Sequence, residues 1–135
     1  MTEQDRFVGV WELDPAQSDY ELGEPPQSGS YKITRDGNSF TFTIEWVGAD
    51  GKEMAMSFTG IVDGVERPYD NPDIADSTCF TRVDEHSLNS TATKNGVVIN
   101  DASRQLSVDG QTMTVVQRLM TPDGQKVNTA IYRRR

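Results

Sequence analysis

Apolar and polar residues alternate along much of this chain with a period of two. Phe40, Phe42, Ile44 and Trp46 fall on one side of an extended segment, and Thr41, Thr43 and Glu45 fall on the other. Met54, Met56 and Phe58 form a second apolar row. Met113, Val115 and Leu119 form a third, interrupted by Gln117, and Val127, Thr129 and Ile131 a weaker fourth. Helical periodicity persists nowhere. Between the rows stand Asp-Gly pairs at Asp36, Asp50, Asp63, Asp109 and Asp123 and an Asn-Gly pair at Asn95, dipeptides that supply the positive φ angles of tight turns. Turns about 14 residues apart leave strands of roughly 8 to 10 residues. The pattern predicts strands at Phe7 to Leu13, Ser30 to Arg35, Ser39 to Val47, Glu53 to Val62, Ser77 to Val83, Ser87 to Lys94, Val97 to Ser107, Gln111 to Met120 and Val127 to Arg134.

Two connections do not read as hairpins. Asp14 to Ser28 begins with Asp14-Pro15, a cap and first turn for a short helix, and then meets Pro25-Pro26, which stops any regular element. Asp63 to Asp76 carries Pro68 and Pro72 among acidic residues and reads as an ordered surface loop. A meander of about nine strands left open would expose two edges to aggregation, so closure is the economical solution. The expected fold is all-β: a single antiparallel up-and-down barrel of about 8 to 10 strands, with at most a short helix after the first. With 135 residues the chain has one domain's worth of core, spanning positions 1–135.

Charge narrows the partners. Thirteen basic against 21 acidic side chains give a net charge of -8, which repels phosphate backbones and anionic bilayers and argues against nucleic acid. No stretch approaches membrane-spanning length, and the polar, acidic start from Met1 to Arg6 does not read as a secretory signal, so a cytoplasmic location and no membrane insertion are expected. Oligomeric state leaves no mark on the pattern. The lone Cys79 lies among strand residues and reads as a structural thiol. His86, the single histidine, falls in a turn, which leaves a nucleophile without a positioned base. Two soft donors in separate segments do not make a transition-metal site, and no cofactor is expected.

Gly9-Val10-Trp11 on the first strand, a Pro-containing crossover, a long meander and the closing Ile131-Tyr132-Arg133 together resemble the calycin group: lipocalins, fatty-acid-binding proteins and small bacterial lipocalin-like domains. The resemblance implies a barrel whose Trp11 closes one end beneath a late arginine, Arg133 or Arg134. It also implies a binding role. The chain departs from the fatty-acid-binding branch in two places. The run from Asp14 to Ser28 is too short for that branch's two helices, and its Arg-x-Tyr anion clamp is only half present, with Tyr132 matching the tyrosine but Ala130 in place of the arginine. Arg104 lies near the branch's other internal arginine, and one residue of misalignment would turn it to the opposite face.

The interior is then the candidate site. Phe42, Trp46, Met54, Met56, Phe58, Met113 and Val115 are expected to line a flexible apolar pocket, with Gln117, Arg104 and Tyr132 as its polar groups. Arg82 and Arg104 have an alternative reading as outer arginines paired with acids, and an enclosed arginine favours a ligand bearing a carboxylate. The expected function is binding of one small apolar or amphipathic molecule. Two alternatives stand beside it: a barrel filled by its own side chains and acting as an interaction module, and a calycin-type isomerase or cyclase using Glu45 or Tyr132.

Overall fold

Among the described residues eleven strands form one antiparallel sheet: β1 (Gly9–Leu13), β2 (Asp19–Tyr20), β3 (Ser28–Asp36), β4 (Ser39–Val47), β5 (Glu53–Ile61), β6 (Arg67–Pro68), β7 (Ser77–Asp84), β8 (Ser87–Lys94), β9 (Val97–Leu106), β10 (Thr112–Thr121) and β11 (Gly124–Arg134). The structure, a computed structural model, describes residues 5–69 and 71–135, so the start expected to be polar lies largely outside the described residues. The nine long strands correspond to the nine read from alternation, and β2 and β6 are two-residue additions. No helix among the described residues is long and apolar enough to cross a membrane.

The strand order β5-β4-β3-β1-β11-β10-β9-β8-β7-β6 is a meander whose first and last long strands pair. Trp11 stands opposite Arg134, and Leu13 opposite Tyr132. After β1 the chain makes one 3-10 turn (Pro15–Gln17), then rejoins the same neighbour as β2, with Asp19 and Tyr20 beside Thr129 and Asn128. Between β8 and β9, Asn95 and Gly96 both take positive φ, 53° and 77°, as the tightest hairpin turn requires.

Several strand ends shift by one or two residues from the sequence reading, and the starts of β1 and β11 shift for identifiable local reasons. β1 begins at Gly9 rather than Phe7 because Phe7 leaves the ladder to plug the barrel's closed end, where it is fully buried and its carbonyl accepts the Trp11 indole N–H at 3.1 Å. β11 begins at Gly124 rather than Val127 because Thr121 pairs with Gly124, making a two-residue hairpin of Pro122-Asp123.

The sheet curls until β5 stands beside β7. They share no ladder: one bridge joins Val62 to Phe80, and the Gly64 N–H donates to the Phe80 carbonyl at 2.9 Å. The rest of the seam is closed by side chains. The rings of Phe42, Phe58 and Phe80 stack with centroids 5.0 to 6.0 Å apart, and Phe80 lies where a side chain on Gly60 would be.

The closed end holds the densest packing, with Phe7, Trp11, Ile33, Phe42, Leu88 and Met113 all below 2% exposed. Arg134 covers this plug. Its guanidinium sits 4.2 Å from the Trp11 ring centre and donates to the carbonyls of Val8 and Gly110 at 3.0 Å and to that of Arg6. Burial holds its pKa below the usual arginine value. Arg133, the other candidate, faces outward and pairs with Asp14. Arg82 lies against the rings of Phe7 and Phe40 and pairs with Asp5.

Candidate functional site

Alternation sends one face of every long strand inward, and along β4 and β5 those faces open from floor to mouth. Phe40 and Phe42 are buried, Ile44 and Trp46 partly so; opposite them Gly60 is buried, Phe58 partly exposed, and Met56 and Met54 reach 45% and 50% exposure. The barrel is therefore packed solid at one end and hollow at the other. The hollow has a volume of about 400 Å³, within the range that encloses a small organic molecule. Tyr20 from β2 and Leu22 from the strap after it, Tyr69 and Ile74 from the crossover before β7, and Gly48 from the β4–β5 turn frame its mouth.

The strap is fastened through Asn128, whose amide accepts from the Leu22 N–H at 2.9 Å and donates to the Leu22 carbonyl at 3.2 Å. Glu21 adds a second clasp, its carboxylate accepting the Val127 N–H at 2.6 Å.

Of the residues read from sequence, Trp46, Met56, Phe58, Val115, Gln117, Arg104 and Tyr132 line this cavity. Phe42 and Met113 do not. They face inward one layer deeper, where the plug fills all the space, and are fully buried. Met54 lies on the inward row but outside this cavity, at a separate depression lined by residues of β1, β3, β4 and β5. Glu45 is on the exposed outer face.

The deepest polar group in the cavity is Arg104 on β9. It is 3% exposed, its Nε donates to the Tyr31 hydroxyl at 2.8 Å and its Nη1 to the Ser90 hydroxyl at 3.0 Å, and its guanidinium sits 4.8 Å from the centre of the Phe42 ring. Among the described residues no carboxylate pairs with it, in contrast to Arg82, Arg67 and Arg133. Next to it, burial pushes the Tyr132 phenol well above its ordinary pKa, and burial raises Tyr20 at the mouth as well. Both phenols stay protonated at neutral pH and are available as hydrogen-bond donors.

Sequence reasoning missed Tyr31, Phe80, Ser90 and Asn100 in the wall. Tyr31 was readable, since it alternates with Ile33 on β3. Asn100 was not: it follows the apolar run Val97-Val98-Ile99, which has no alternation, and a register shift between Ala92 and Thr93 decides which of these residues turn inward.

No family model and no curated protein matches the chain by sequence. Solved structures do match it. The zebrafish ileal bile-acid-binding protein complexed with cholic acid aligns with a TM-score of 0.64 and 15% identity over 96% of this chain and 99% of that one. Apo lipid binding protein 8 from Caenorhabditis elegans aligns at 0.65 and 15% identity, covering 100% and 99%. As-p18, an extracellular fatty acid binding protein, aligns at 0.61 and 13% identity over 100% of both chains. The fold is the antiparallel barrel of these binding proteins. At such low identity the likeness is one of architecture. Between β1 and β3 this barrel carries a 3-10 turn and a two-residue strand, in line with the expectation that a helix pair would not fit there.

Proposed function

We propose that this barrel binds one small amphipathic molecule, its apolar body in the cavity and an acidic end against Arg104. The observation that carries the reading is a buried guanidinium at the base of an apolar cavity with two neutral hydroxyls as its hydrogen-bond partners and no carboxylate among the described residues. A charge taken out of water calls for an opposite charge beside it, and an anionic ligand end supplies one. The apolar residues around it, Ile44, Trp46, Met56, Phe58 and Val115, suit a hydrocarbon body. The architectural neighbours named for lipid, fatty-acid and bile-acid binding support the same reading.

An environment-sensitive apolar dye tests it. The dye should bind one per chain and be displaced by an alkyl carboxylate. Arg104→Leu should weaken the carboxylate about 10- to 100-fold while leaving the matching alcohol nearly unchanged. A dye that never saturates, or an Arg104→Leu protein that holds the carboxylate as well as before, overturns the proposal.

A further inference from the structure

The methionines among the described residues, Met54, Met56, Met113 and Met120, stand in contrasting surroundings. Met113 is fully buried in the plug beneath the cavity. Met120 is exposed near the end of β10, an odd number of residues from Met113 and so on the outer face, and it lines no part of the cavity. Met54 and Met56 are exposed on the inward row of β5, and of the two only Met56 lines the cavity, with Ile44, Trp46 and Phe58. Its exposure has a structural cause. Along one edge of β5, Met56 pairs with Ile44 of β4; along the other, no strand among the described residues forms a ladder, and at this level the inward row borders the hollow rather than the plug. The rest of the Met56 surface is left to solvent or to whatever fills the cavity.

A thioether in that position reacts with a hydroperoxide without help from a catalytic group. The sulfur lone pair attacks the distal peroxide oxygen and the O–O bond breaks. Sulfur is oxidised by two electrons and the peroxide is reduced by two, so that hydrogen peroxide leaves one sulfoxide and one water. The product exchanges a flexible apolar side chain for a polar S=O group, which a hydrocarbon surface cannot hydrogen-bond. An apolar body seated on Ile44, Trp46 and Phe58 covers the sulfur, whereas an empty cavity presents it to solutes.

We infer that Met56 is a modification site through which hydroperoxides control the cavity: in the empty barrel it is converted to the sulfoxide, the sulfoxide weakens ligand binding, and bound ligand shields the sulfur. Occupancy and oxidation therefore oppose each other, as linkage between two events at one wall requires. This rests on the cavity being the binding site, and not on the role of Arg104.

Hydrogen peroxide treatment of a Cys79→Ser protein, which removes the competing thiol, followed by peptide mass spectrometry reads the rate at each methionine. Met56 and Met120 should oxidise about tenfold or more faster than Met113, and Met113 remaining reduced reports that the barrel stays folded. Saturating apolar dye should slow Met56 about fivefold or more and leave Met120 unchanged. Dye affinity should fall about tenfold after oxidation. Met56→Leu should keep its affinity through the same treatment, while Met54→Leu and Met120→Leu lose theirs as the parent does. Met56 reacting as slowly as Met113, a rate indifferent to the dye, unchanged affinity after full oxidation, or a loss that persists in Met56→Leu overturns the inference and leaves the broader proposal standing. A dye that fails to bind the untreated protein removes both.

Discussion

The ring of Phe80 occupies the space that a side chain on Gly60 would fill, and it does so where β5 and β7 adjoin without a hydrogen-bonded ladder. Glycine at position 60 lets an aromatic side chain do the work of backbone pairing, and the same ring stacks on Phe42 and Phe58.

Gly60→Ala should therefore destabilise the barrel by about 2 kcal/mol through overpacking, read as a lower urea midpoint. Phe80→Ala in the same background should relieve the clash, so the double variant loses less than the sum of the singles. Strict additivity would mean that the seam is loose.

Arg134→Ala should cost about 3 kcal/mol, because it removes the cover of Trp11 and the donors to three backbone carbonyls. Arg134→Lys should recover less than half, since an ammonium lacks the planar fork. Unfolding followed by tryptophan fluorescence measures both. A loss below about 0.5 kcal/mol would make Arg134 a solvated tail residue, as expected for an exposed side chain.

The boundary between floor and cavity predicts opposite phenotypes. Trp46→Ala should weaken dye binding at least fivefold, on the order of 1 kcal/mol of lost contact, with little change in unfolding midpoint. Met113→Ala, beneath the cavity, should cost about 2 to 4 kcal/mol of stability and leave the dye affinity of the folded protein within about twofold. Interchanged outcomes would place the floor elsewhere.

Much of this was legible in the chain itself, because each device has a local cause. Asn95-Gly96 accepts the φ angles of its turn, and the Phe40-to-Trp46 row can bury only one face of β4. A pairing of Trp11 with Arg133 or Arg134 was foreseeable from resemblance, while the cross-strand register that selects Arg134 needed coordinates. The polar half of the site was harder. Ser90, Asn100 and Arg104 face inward against the rule that buried faces are apolar, and that rule fails where the interior is hollow. The seam was invisible for a related reason: Gly60 and Phe80 are far apart in sequence and meet only when the sheet curls.

Alkaline titration probes the interior from another direction. Burial raises Tyr132 in the folded protein, so its neutral form contributes stability that is complete below the unfolded tyrosine pKa of about 10 and is lost as pH rises through the folded value. Phenolate absorbance should show a late-ionising component that shrinks in Tyr132→Phe. An unchanged profile would mean that the phenol is solvated.

Isothermal titration calorimetry with palmitate over a range of temperatures asks the central question most directly. A hollow barrel with Arg104 at its base predicts one site per chain, a dissociation constant below about 10 µM, and a negative heat-capacity change from apolar burial. Heat that never saturates, or the absence of binding heat at every temperature, would contradict it.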